Sequence, residues 1–242
     1  MIDTIMLDLD GTLLNFPQGV FINTYLAELK KVFARLGMDA ELYIKALYIG
    51  TKAMIDNNGE MVNAKRFWDK FSDYLGLTSE QCKAIEAVCD NFYSNEFNTV
   101  KSVMGPSDIS KRLVRALAAK GYDLVLATNP LFPPSAVASR LGWIGLKPQD
   151  FKLTTHYANS TYCKPNLGYY REIFTKINKA PTQTLMVGNS VTDDMCVRVL
   201  GTDTFLVTDC IENEAGADIS IYRHGTFVEA ETYLLTLPDI NG

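Results

Sequence analysis

The apolar positions of the chain follow two rhythms. Thr4-Ile5-Met6-Leu7-Asp8 is a short apolar run that stops at acids and at Asp10-Gly11, which reads as a buried strand ending in a turn. Phe21, Tyr25, Leu29, Val32, Phe33 and Leu36 then recur at helical spacing until Gly37. Helical patterns over residues 39–56, 63–75 and 79–97 come next, separated by turn residues such as Asn57-Asn58-Gly59 and Gly76. From about residue 107 the rhythm alternates. A helix from Ser107 to Lys120 leads to a strand at Tyr122–Ala127, and a second helix follows Pro133-Pro134. Phe151–Thr155 reads as a strand, 166–178 as a helix, Thr184–Val187 as a strand, 192–200 as a helix closed by Gly201, and Thr204–Val207 as a strand. Strands alternating with helices predict βαβ units: an α/β fold with a parallel sheet and helices on both faces. The first strand joins this later part, which leaves the helical block at about 15–100 as an insert.

Composition changes little in that picture. The 242 residues are 47% apolar and 21% charged, enough apolar material for a sizeable core and against disorder. A net charge of −5, with no basic run, argues against nucleic acid and anionic membrane as partners. No apolar stretch is long enough for a transmembrane helix, and the first residues lack the features of a signal peptide. Five cysteines without a Cys-x-x-Cys pair suit reduced thiols in a cytoplasmic protein. Only His156 and His224 are present, which speaks against a His-rich transition-metal site. Cys163, although beside Lys164, is expected to be a passive thiol.

In an open parallel sheet, ligands bind at the carboxyl ends of the strands. The residues just past the predicted strands are Asp8 and Asp10, then Thr128-Asn129, then Gly188-Asn189-Ser190 with Asp193 and Asp194. Lys164-Pro165 lies in the loop before the helix that precedes the last of these strands. Acids, a hydroxyl, an amide and a lysine at one rim suit phosphoryl transfer. Asp8 is placed to attack phosphorus, and Asp10 to protonate the leaving oxygen and then deprotonate water. Gly11 lets the backbone turn closely with its amide toward the phosphate, while Thr12 holds the turn. Lys164, Thr128 and the nearby amides of Asn129 offset phosphate charge. A magnesium ion would bridge Asp8, a carbonyl oxygen and the phosphate, with the Asn189 carbonyl oxygen as a further donor and Asp193 or Asp194 toward its waters.

The chain resembles the haloacid dehalogenase-like hydrolase superfamily, mostly phosphatases. Asp8-Leu9-Asp10-Gly11-Thr12 matches its first motif and Leu126-Ala127-Thr128-Asn129 its second. Lys164-Pro165 matches the third, and Gly188-Asn189 with Asp193 and Asp194 the fourth, in family order. The resemblance implies a Rossmann-like core over 1–15 and 101–242, with a helical cap over 16–100 that closes on the site. It also implies Mg2+ as cofactor and a small phosphate ester as substrate. The catalytic residues are then Asp8 and Asp10. Gly11, Thr12, Thr128, Asn129 and Lys164 would bind phosphate. Asp8, Asp10, Asn189 and Asp194 would hold the metal, with Asp193 behind them. Lys52, Arg66 and Trp68 are candidate cap contacts. The fourth motif usually begins with Asp, so Asn189 removes one negative charge, and Asn189→Asp is expected to lower the magnesium requirement. Two alternatives stay open beside a phosphatase: a phosphomutase acting on a sugar phosphate, and a non-catalytic module that binds a phosphorylated ligand. No oligomeric state is read from the sequence.

Overall fold

The computed structural model describes residues 1–104 and 108–240. Ser107, the expected start of a helix, and residues 241–242 of the expected core segment lie outside the described residues. The strands are β1 (Thr4–Leu7), β2 (Asp123–Leu126), β3 (Leu153–Thr154), β4 (Thr184–Gly188), β5 (Asp203–Val207) and β6 (Arg223–Gly225). They form one sheet in the order β3-β2-β1-β4-β5-β6, with every pair parallel. In β1 all four residues are buried, as expected of a central parallel strand covered on both faces. The strand order reverses direction between β1 and β4, and at such a switch point the loops diverge and leave a crevice. The registers Leu7↔Leu126 and Leu7↔Val187 bring the ends of β1, β2 and β4 level there.

Between β1 and β2 lie α1 (Gln18–Arg35), α2 (Ala40–Ile55), α3 (Asn63–Leu75), α4 (Ser79–Ser94), a 3-10 segment (Glu96–Val103) and α5 (Asp108–Ala119). The expected helix over 79–97 therefore breaks at Asn95, whose backbone leaves the helical region (φ −122°, ψ −86°). One apolar cluster runs from Ile5 and Leu7 of β1 through Phe21, Tyr25 and Leu29 of α1 to Phe92 and Phe97, so α1 and the end of α4 share the core of the sheet. A second cluster joins Ala46, Met54, Phe67, Phe71 and Ile85 of α2, α3 and α4 to Tyr157 and Cys163. Phe67 and Phe71 are core residues, whereas Tyr74 faces outward. The other helices are α6 (Pro134–Trp143), α7 (Leu167–Ile177) and α8 (Phe227–Thr236).

The structure differs from the expected helix over 192–200. Residues 191–194 form turns, and only Met195–Leu200 winds, as a 3-10 segment. The reason is local: the N–H groups of Asp194 and Met195 both return to the Ser190 carbonyl, and the Asp194 carboxylate accepts from the Ser190 N–H. One turn thus closes on Ser190 and is not continued as an α-helix. Among the described residues, no helix is long and apolar enough to cross a membrane.

Candidate active site

Asp8 leaves β1 at its carboxyl end, tied to β4 by its N–H on the Val187 carbonyl (2.9 Å). It lines a pocket of about 80 Å³ with Asp10, Thr128, Asn129, Lys164, Asn189, Ser190, Asp193, Asp194 and Glu212. Five loops that are distant in sequence therefore meet where the strand order switches.

Lys164 is the hub. It is 3% exposed and donates to Asp8 Oδ1 at 2.8 Å and to Asp194 Oδ1 at 2.6 Å. Burial disfavours its ammonium, but the Asp194 and Asp8 carboxylates outweigh that and hold it well above the ordinary lysine range. Burial pushes the Asp8 carboxyl up to about 8, with Lys164 opposing and Asp194 and Asp10 reinforcing. Glu212 is pushed up to about 7 by burial, then by Asp194 and Asp193. The charge imbalance has a plain origin. Asp8, Asp10, Asp193, Asp194 and Glu212 line the pocket, against two buried cations, Lys164 and Arg140.

Arg140 is the site residue that the sequence reading missed. It is fully buried on α6, pairs with Asp10 Oδ2 and lies 4.3 Å over the Phe132 ring. The pair fixes the orientation of the Asp10 carboxylate, whose Oδ1 is buried with no hydrogen-bond partner. A signal existed. Ala136, Val137, Arg140 and Leu141 form one buried helical stripe, and a charge on such a stripe demands a partner.

Other expected residues take different tasks. The Gly11 N–H donates to the Leu14 carbonyl (2.8 Å), and the Thr12 hydroxyl donates to Asn189 Oδ1 (3.1 Å), so these groups build the turn and do not face the pocket. Gly11 has φ +81°, and a Cβ there would stand 2.4 Å from the Asn189 amide nitrogen, so the close approach requires glycine. Asn129 braces its neighbours: its Oδ1 accepts from the Lys164 N–H (3.3 Å) and its Nδ2 donates to Asp193 (3.2 Å). Thr128 lines the pocket, and its carbonyl accepts from Thr155 and Tyr169. Both Asp194 oxygens are engaged, by Lys164 and by the Ser190 N–H, so Asp194 anchors the lysine. Lys52 and Arg66 pair with Asp56 and Glu60 on the helical surface. Cys163 is buried, and burial pushes its thiol up to about 12, which suits a passive thiol. His224 is exposed, whereas His156 is half-buried with Nδ1 unpaired.

Beside this pocket lies an apolar cavity of about 120 Å³, lined by Tyr25, Leu47, Phe67, Trp68 and Tyr157 among others. Ile22, Leu131 and Phe132 line both spaces.

The titration of Asp8 carries a prediction. The unfolded chain releases this proton near 3.8, while the folded protein retains it to about 8. The unfolded state then binds fewer protons across that window, so the Asp8 contribution to stability falls as pH rises. Asp8→Asn removes the effect. Its melting temperature is expected to gain steadily on the wild type between pH 5 and pH 8 in metal-free buffer. A constant gap across that range would refute the raised Asp8 value.

The fold is a doubly wound parallel sheet with a rim of charged loops at its switch point. The sequence profile of the haloacid dehalogenase-like hydrolases matches residues 2–195, and the chain belongs to that family. A phosphatase of the family from Thermococcus onnurineus superposes with a TM-score of 0.60 at 15% identity, covering 99% of this chain and 100% of that one. An L-2-haloacid dehalogenase from Xanthobacter autotrophicus gives 0.57 at 11%, covering 98% and 100%. YfnB of Bacillus subtilis, solved bound to magnesium, gives 0.56 at 20%, covering 98% and 99%. At these identities the likeness is one of fold. No curated protein matches the chain.

Proposed function

We propose that the protein is a magnesium-dependent phosphomonoester hydrolase that works through an aspartyl-phosphate on Asp8. The observation that carries this reading is the pairing of Asp8 with a second carboxylate, Asp10, in one pocket, beside a buried lysine bonded to Asp8. A dehalogenase has no use for Asp10, because a departing halide needs no proton. An alkoxide leaving from phosphorus does.

The pocket also suits a divalent cation. Among the described residues, no three His, Cys, Asp or Glu side chains converge as a ready-made metal cage. Magnesium does not need one: it takes one or two carboxylates, keeps several waters and uses substrate phosphate. Five carboxylates against two cations would repel a phosphate dianion, and a divalent ion relieves that imbalance. Asp8, the Asp10 carbonyl and Asn189 Oδ1 would hold it. When bound it supplies positive charge at the transferring phosphoryl group.

The remaining steps belong to the chain. An Asp8 oxygen attacks phosphorus as the ester P–O bond breaks, and Asp10 gives a proton to the leaving alcohol oxygen. Asp10 then takes a proton from water as that water attacks phosphorus, which frees inorganic phosphate and restores Asp8. Lys164 keeps Asp8 aimed and offsets charge on the phosphoryl oxygens. The helices of segment 16–100 act as the cap, and the apolar cavity between them and the loops bearing Phe132 and Tyr157 receives the alcohol part of the substrate, a compact apolar or ring-bearing group.

Steady-state assay of 2-phenylethyl phosphate, glucose 6-phosphate and 2-chloropropionate tests the reading. Phosphate release that needs Mg2+, with the highest kcat/KM on the phenylethyl ester, is expected. Chloride release without metal would replace the phosphatase reading by a dehalogenase. Transfer of phosphate onto a sugar hydroxyl, in preference to water, would replace it by a mutase.

A further inference from the structure

Asn189 stands where the family motif begins with Asp, so the loop after β4 brings one charge fewer to the site. The geometry explains what the amide does in exchange. Asn189 Nδ2 donates to the Cys210 carbonyl at 2.7 Å. The Asn189 carbonyl accepts from the Glu212 N–H at 2.9 Å, and the Val191 N–H donates to the Glu212 carbonyl at 2.9 Å. Three hydrogen bonds thus fasten the loop after β5 to the loop after β4. An aspartate at 189 has no proton for Cys210 and would set its charge against that carbonyl.

The fastened loop delivers a carboxylate. Glu212 lines the same pocket as Asp8 and Asp10. Its side chain pairs with Ser190 at the rim of that pocket, a fourth contact between the two loops. Asp194 is committed to Lys164 and to the Ser190 N–H, and one Asp193 oxygen to Asn129. Half-burying another carboxylate beside these two is costly unless a cation offsets it.

We propose that Glu212 supplies toward the divalent cation the negative charge that position 189 lacks, and that Asn189 serves to hold the Glu212 loop in place. This rests on the magnesium reading above. The charge has moved from one loop to its neighbour.

Calorimetric titration of MgCl2 into the resting protein tests it without turnover. Glu212→Gln is expected to weaken magnesium binding about 10-fold or more, the usual cost of removing an outer-shell carboxylate. Glu214→Gln, a neutralisation two residues away that does not line the pocket, should leave the affinity unchanged. In the wild-type background Asn189→Asp, which the motif alone suggests would lower the magnesium requirement, should not tighten binding, because it releases the Cys210 carbonyl. In the Glu212→Gln background it should restore most of the lost affinity. Glu212→Gln within twofold of a magnesium-binding wild type, with its melting temperature unchanged, would overturn the proposal and leave the magnesium reading standing. A wild type that takes up no Mg2+ would overturn both.

Discussion

Asp8→Asn is expected to reduce phosphate release by about 10⁴-fold or more, the scale of loss when an enzyme nucleophile is removed. The amide is nearly isosteric, and the residue sits at the end of a fully buried strand, so the fold should persist. The amide nitrogen cannot attack phosphorus as a carboxylate oxygen does. A denaturing quench during turnover should find one phosphoryl group on the peptide carrying Asp8 in the wild type and none in the variant. Activity surviving at more than about a hundredth of the parent would end the covalent mechanism, because among the described residues no other carboxylate is bonded to Lys164 and free to attack: Asp194 is held on both oxygens.

Lys164→Met should cost stability as well as rate. The ammonium is buried between Asp8 and Asp194, and its loss strands the buried Asp194 carboxylate and takes the donor from Asp8 Oδ1. Breaking a buried pair from one side costs about 3–5 kcal/mol. For a protein of this size each kcal/mol is about 2–4 °C of melting temperature, so a drop of about 10 °C is expected in metal-free buffer. Adding Asp194→Asn should return part of it, since the stranded Asp194 charge is then gone. A loss under about 1 kcal/mol would put the bridge on the scale of a surface ion pair and remove Lys164 as the hub of the site.

Much of this was legible in the sequence. The apolar run Ile5-Met6-Leu7 stops at an acid, so Asp8 had to lie at a strand end. The approach of Asp8, Thr128, Lys164, Asn189 and Asp194 to one rim followed from βαβ topology, which sends every strand out on the same side. What stayed hidden were the partners. Arg140 was legible only as a charge on an apolar stripe, because its mate, Asp10, is 130 residues away. Glu212 lies on a loop with no periodicity, and it reaches Asn189 because β5 lies beside β4 in the sheet. Gly11 and Thr12 lie in the expected turn, but Asn189, the acceptor that claims the Thr12 hydroxyl, is a tertiary neighbour.

The sequence by itself determined five of the six strands (all but β6), the order of the acid-bearing turns and the family. Those depend on the period of apolar residues and on short motifs, both local properties of the chain. The tertiary structure alone decided how each oxygen of the site is engaged. Asp194 serves Lys164, Asp10 serves Arg140, and Asn189 serves the loop of Glu212. A hydrogen bond forms over about 3 Å, and which groups come that close depends on strand adjacency and register, which no single stretch of sequence contains.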